Sequence, residues 1–199
     1  MKSNIVKIVL AVVVIVLAYF LYASIMRPIR FQEQLNARNT QIVNRLKDIR
    51  TAQNFFKQFN NHYTSSFDTL IDFLQTGQIP VVKMVADPTD TTFTRSINDT
   101  IGFIKIADSL YSKRPNFKLQ DLPIIPFSEG RKFEMKTDKI DKGGVIVSVI
   151  EITVPYEYYL FDLGKQDVVN LAERQKVMNR YPGLKMGSLT EASTDGNWE

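Results

Sequence analysis

An uncharged, almost wholly apolar run covers residues 8–26, with Lys2 and Lys7 before it and Arg27 and Arg30 after it. At about 1.5 Å per residue it predicts a helix of about 28 Å, matching the hydrocarbon thickness of a bilayer. Val and Ile dominate the run; in lipid a helix is what satisfies such a backbone. Tyr19, Phe20 and Tyr22 fall near its outer end, where amphipathic rings favour the interface. A secretory signal peptide is the competing reading, but its apolar core is normally shorter. Leu21-Tyr22-Ala23 is also a poor small-x-small cleavage site. The expectation is an uncleaved signal anchor over residues 1–28, placed in the inner (cytoplasmic) membrane. Arg27, Arg30 and Arg38 nearly balance the bases on the other flank, so orientation rests on the short N-terminal segment. Such a segment stays cytoplasmic, which puts the remainder in the periplasm.

Beyond Pro28 the period changes from a solid apolar run to a stripe. Leu35, Ile42, Ile49 and Phe56 recur every seven residues and Leu46 falls on the same face, predicting an amphipathic stalk helix over residues 29–61. Asn39 and Gln53 interrupt the stripe. Either this face packs on the protein's own head, or Leu35, Ile42, Leu46 and Ile49 are contacts for a partner or a second copy. The stalk is also basic: seven Lys/Arg against Glu33 and Asp48 between Arg27 and Lys57 give +5. Arg27, Arg30 and Arg38 are thus placed to meet anionic lipid headgroups or an acidic partner. A solvated helix face is the plainer alternative.

A third pattern, short periodic segments between turn formers, fills residues 62–199. Ser65 or Ser66 caps a short helix running to Leu74, with Asp68 in its first turn and Phe67, Leu70, Ile71 and Leu74 on one face. Residues 86–100 are polar and predict an exposed loop, followed by a short strand at 101–106 and an irregular stretch at 112–121. Alternation predicts a strand at 131–136, Gly143-Gly144 a turn, and the Val/Ile run of 145–154 the strongest strand in the chain. Residues 156–161 are expected to pair at an edge. A helix over 167–180 would turn Val168, Leu171, Val177 and Met178 inward. Residues 184–199 are expected to hold one short strand and a loosely ordered tail. The fold class is therefore α+β: anchor, stalk, and a small antiparallel head.

Composition narrows the chemistry. The chain has 199 residues, no Cys, one His and a net charge of +4, which excludes disulfides, thiol nucleophiles and cysteine or histidine-rich metal sites. The charge is too mild for a dedicated nucleic-acid binder. His62 stands beside a helix break, and Asp68 and Asp72 share a helix face without a third ligand; neither defines an acid–base pair or a metal site. No catalytic residue and no cofactor is expected. Asn98-Asp99-Thr100 fits an N-glycosylation acceptor. Asp68-Thr69-Leu70, Asp99-Thr100-Ile101 and Asp108-Ser109-Leu110 resemble the Asp-Ser/Thr-aliphatic acceptor of periplasmic O-glycosylation in Bacteroidota; Thr100 alone of these falls in a predicted loop. Trp198, the sole tryptophan, belongs either to a dangling tail or to an indole seated in a partner's pocket.

The residues Leu46-Lys47-Asp48-Ile49-Arg50-Thr51-Ala52-Gln53-Asn54-Phe55-Phe56, followed by His62-Tyr63-Thr64-Ser65-Ser66-Phe67-Asp68-Thr69-Leu70, resemble type IV pilins and type II secretion pseudopilins. In that pattern an aromatic residue ends the long helix and a tyrosine precedes the next one. The chain departs from it in having no Gly before Gly77 and no acidic residue before Glu33, where prepilins carry a cleavage-site Gly and an assembly glutamate. Residues 45–74, Ile125-Pro126-Phe127-Ser128-Glu129-Gly130-Arg131-Lys132-Phe133-Glu134, Tyr181-Pro182-Gly183-Leu184-Lys185-Met186-Gly187-Ser188-Leu189 and Gly196-Asn197-Trp198-Glu199 also resemble a group of single-pass envelope proteins of Bacteroidota. The expectation is a non-catalytic, membrane-anchored envelope subunit, pseudopilin-like in one version, that meets other envelope proteins or itself through the stalk. A tethered periplasmic binding or sensory module, its pocket bordered by Tyr156, Tyr158 and Tyr159, is the alternative.

Overall fold

A computed structural model describes residues 2–86, 96–111 and 118–199. One helix, α1 (Lys2–Asn60), runs through both the apolar segment and the stalk. At about 1.5 Å per residue its 59 residues span about 88 Å. Pro28 lies inside it; its missing N–H removes one rung of the ladder, at the boundary between apolar run and stripe, and the helix continues. The large side chains of residues 8–25 are exposed, whereas Ile42, Leu46, Ile49 and Ala52 are wholly buried. The helix has the length and apolarity to cross a membrane. It ends where Asn61 takes a left-handed φ of 61° and donates its N–H to the Lys57 carbonyl, the usual way an Asn closes a helix.

The head folds around the second half of this helix. Helix α2 (Phe67–Thr76) is capped by Ser66, whose Oγ accepts the Thr69 N–H at 3.3 Å, and buries Leu70 and Leu74. Gly77 stops it at a close approach, since a Cβ there would meet the Phe73 carbonyl at 2.5 Å. A two-stranded antiparallel ribbon follows, β1 (Gln78–Ala86) against β2 (Ser96–Lys105), with a register shift at Val81/Val82. After α3 (Ile106–Tyr111) and a 3-10 turn (Leu119–Asp121) comes the main sheet, of order β3-β4-β5. Strands β3 (Glu134–Lys142) and β4 (Val145–Pro155) form a hairpin whose two linking residues, Gly143 and Gly144, have φ of 67° and 86°. Only residues tolerant of positive φ fit this two-residue turn. Helices α4 (Tyr156–Tyr159) and α5 (Lys165–Val177) lead back to β5 (Gly183–Gly187), which pairs antiparallel with β4. Ile150, Ile152, Val154, Leu184 and Met186 join the stalk stripe in one core.

Several expectations are corrected. The ribbon replaces part of the predicted loop: Thr100 pairs with Val82 inside β2, so its Asp-Thr-Ile motif lies in a strand. Residues 87–95 and 112–117 are outside the described residues. The strand expected at 131–136 begins at Glu134. Residues 156–161 do not pair at an edge, because β5 already occupies that side of β4, with Pro155 opposite Gly183. Val177 and Met178 point outward, 82% and 46% exposed, beyond the single buried residue of α5, Val168. Residues 188–199 are not loose. Gly196 bridges Met186, the Asn197 N–H donates to the Lys185 carbonyl, and Glu199 pairs with Arg50 at 2.8 Å.

Candidate functional site

The stalk stripe is the first site the sequence singles out, and it is not free. Leu35, Ile42, Leu46 and Ile49 are all at most 5% exposed and belong to the head's own core. Burial in the head's own core satisfies the stripe and leaves these four side chains little open surface. The two interruptions are latches. Asn39 Oδ1 accepts the Tyr159 hydroxyl at 2.6 Å. Gln53 donates from Nε2 to the Thr64 carbonyl at 2.7 Å and accepts the Thr64 N–H at 3.2 Å.

Arg38 likewise belongs to the head. Its guanidinium donates to both carboxylate oxygens of Asp162, at 2.5 and 2.6 Å, and to the Tyr159 carbonyl at 2.6 Å, and it lies 5.0 Å from the centre of the Phe127 ring. A planar fork meeting a carboxylate in this way fixes both partners. It is engaged here instead of at a headgroup. The hydrogen bonds from Arg38 hold the Asp162 carboxyl below its ordinary range. A depressed folded pKa contributes stability above the unfolded value, near 4, and loses it as pH falls through the folded one. The Tm gap between wild type and Asp162→Asn is therefore expected to be widest at neutral pH and to close in acid. With Asp162 half exposed, the gap should correspond to no more than about 1 kcal/mol of stability. A gap unchanged between pH 7 and 3 would mean that the pair contributes nothing.

Higher along the stalk, Arg45 donates to the Asp121 carbonyl, Arg50 pairs with Glu199, and Lys57 reaches the Ser148 carbonyl at 3.3 Å with its ammonium 4.5 Å from the centre of the Tyr63 ring. Arg27 and Arg30 differ: both are exposed, and among the described residues neither makes a hydrogen bond or ion pair.

Trp198 is also absorbed. It packs against the core, half-buried, with Gly196 so close that a Cβ there would meet its ring at 2.3 Å. Asn197 Nδ2 donates to the Gly183 carbonyl at 2.9 Å and secures the segment. The indole thus packs on the protein's own core instead of hanging from a free tail. Its Nε1–H is a buried donor without a partner among the described residues. The tyrosines proposed to border a ligand pocket are packed as well. Tyr156 and Tyr159 are buried, and Arg131 covers the Tyr158 ring at 4.6 Å. Burial raises the Tyr159 phenol far above its ordinary value, so it remains a neutral donor to Asn39. His62 is exposed, with Nδ1 2.8 Å from the Asn60 carbonyl and its ring edge-on to Phe56. Among the described residues no three His, Asp or Glu side chains gather where they could hold a metal.

Among the described residues, large apolar side chains stay exposed along the apolar run and at scattered points on the head. Ile101 and Phe103 are exposed on β2, and Val145 and Ile146 at the start of β4. Sequence reading passed over these four, although Val145-Ile146 directly after a glycine turn marks an apolar hairpin tip. No family model, curated protein or solved structure matches the chain.

Proposed function

We propose that this protein is a non-catalytic, membrane-anchored structural subunit of a bacterial envelope assembly, pilin-like in build, with its head periplasmic at the inner membrane. The observation that carries this reading is the continuity of α1, an exposed apolar cylinder at one end and the core of the head at the other. A tether for an independent binding module needs no more than a flexible linker. An unbroken helix locked into the head by Asn39, Arg38 and Gln53 instead fixes where the head stands above the bilayer. That rigid mounting is what a repeating or multi-subunit assembly requires. With the stalk stripe buried, the contacts pass to the apolar segment and to exposed apolar side chains of the strands, Phe103 and Ile146.

Photo-crosslinking residues at Leu17, Phe103 and Ile146 in native membranes test the reading, with Ile42 as the buried control. Ladders of self-adducts would support the pilin-like version, and one discrete heteromeric adduct a subunit of a mixed complex. Silence at the three exposed positions would return the protein to the tethered-module reading. Strong adducts at Ile42 would contradict its burial.

A further inference from the structure

The stalk's cations are used unequally. Arg38, Arg45, Arg50 and Lys57 bond to the head, while Lys47, on the exposed face, makes no side-chain bond among the described residues. Arg27 and Arg30, nearest the apolar run, bond to nothing among the described residues, although the head reaches down to them. A groove of about 410 Å³ lies between this part of α1 and the start of α5, a size typical of small-ligand clefts. Arg27, Arg30 and Phe31 form one wall, Leu163 and Lys165 the other. Lys165 is also without an ion-pair partner among the described residues. Asp167 shares the groove, but its carboxylate turns toward Gly164, where a Cβ would lie 2.5 Å from Oδ2. Three cations against one carboxylate leave +2. Glu33 does not line the groove, and Asp162 is neutralised by Arg38.

A second hollow, of about 370 Å³, continues from the first along the same helix face. It is lined by Tyr19, Tyr22, Ala23 and Met26 and shares Arg27 and Arg30. The spacing from 19 to 22, 23, 26, 27 and 30 follows one face of a helix. The track is thus apolar and aromatic within the span and cationic just outside it. This order matches a phospholipid standing beside the helix, acyl chain along Tyr19, Tyr22 and Met26, phosphate at Arg27, Arg30 and Lys165. A free anion would use the upper groove alone and leave the apolar part without a role.

We propose that this track is a binding site for one anionic phospholipid, clamped between the stalk and α5. The lipid completes the attachment of the head to the bilayer and holds it at a fixed rotation about α1. This rests on the reading of residues 8–26 as a membrane span. Lys165, remote in sequence from the span, makes the site more than a ring of interfacial bases.

The test uses the full chain in detergent, with native mass spectrometry after addition of phosphatidylglycerol or phosphatidylcholine. Wild type is expected to retain phosphatidylglycerol roughly tenfold better, as a few cations near a headgroup allow. The triple variant R27Q/R30Q/K165Q should lose the preference, Lys165→Gln alone should lose about threefold to fivefold, and Arg174→Gln, at the other end of α5, should lose none. Circular dichroism melts check that the variants fold, which their exposure favours. If Lys165→Gln retains lipid like wild type, the bases act as a generic interfacial ring and the clamp is overturned. Displacement of the lipid by an equal concentration of inorganic phosphate would overturn it in favour of a free-anion site. Carbonate extraction of native membranes separates the premises. A chain that stays in the pellet without lipid preference refutes the site alone, whereas a chain released to the supernatant refutes the span and the site with it.

Discussion

Ile42→Asp is expected to unfold the head while leaving the protein in the membrane. Ile42 is wholly buried between the stalk and the sheet, so the substitution removes about 1.5–3 kcal/mol of apolar burial. It also puts a carboxylate into the apolar core, where the neighbouring helix cations Arg38 and Arg45 already serve Asp162 and the Asp121 carbonyl, at a further cost of several kcal/mol or of protonation. Together these consume most of the 5–15 kcal/mol that ordinarily stabilises a domain. The expected result is loss of the cooperative melt and of the near-ultraviolet signal from the packed tyrosines, with membrane retention unchanged. Gln41→Asp, one residue away and exposed, should stay within about 0.5 kcal/mol of wild type, and Ile42→Val should cost about 1 kcal/mol. The pattern separates folding from assembly: any complex lost by Ile42→Asp would be lost because the head is lost. If Ile42→Asp melts like wild type but sheds a partner, the stripe is an interface after all.

The same residue illustrates how far a sequence can be read here. The seven-residue recurrence of Leu35, Ile42, Ile49 and Phe56 fixes a helix and the face it buries. It does not say what covers that face, because apolar burial is non-directional and a head and a partner helix satisfy it alike. The β3–β4 hairpin was legible because its signals are local, a Gly-Gly turn followed by a β-branched run. Of the ribbon, the half of β2 from Ile101 onward was legible by its alternation, but β1 and the start of β2 were not, since β2 begins in the polar stretch Ser96-Ile97-Asn98-Asp99-Thr100, which pairs with Val82–Ala86. Residues 156–161 have the aromatic content of a strand, but β5 takes the edge they would need, a fact settled about thirty residues later in the chain. The end of the chain was misjudged for a similar reason. Nothing near Trp198 announces that Asn197 will bond Gly183 or that Glu199 will meet Arg50. The proposed lipid track shows the converse: the sequence marks Arg27 and Arg30 as candidate headgroup contacts, while Lys165 is brought beside them only by the fold.

Replacing Gln53 with Leu is expected to cost about 2–4 kcal/mol, although it lengthens the apolar stripe and would strengthen a coiled-coil seam. Gln53 is 1% exposed, and its amide does for Thr64 what a neighbouring strand would, taking the N–H and supplying a donor to the carbonyl. Thr64 lies in the connection between α1 and α2, where its backbone pairs with no strand. Leu fills similar volume but leaves both backbone groups buried and unpaired. Gln53→Glu sharpens the argument, since a carboxylate accepts from the Thr64 N–H but repels its carbonyl. The protonated acid can serve both, so burial and the carbonyl raise the folded pKa of that Glu above its unfolded value. The sign then runs opposite to Asp162: Gln53→Glu should gain stability relative to wild type as pH falls from 7 to 5. Melts of the two variants across that range check it, and a Gln53→Leu protein as stable as wild type would mean that water, not Gln53, satisfies Thr64. A stripe read only for its apolar residues would treat Gln53 as a defect to be repaired; its amide instead pins Thr64, where the chain leaves the stalk and enters the head.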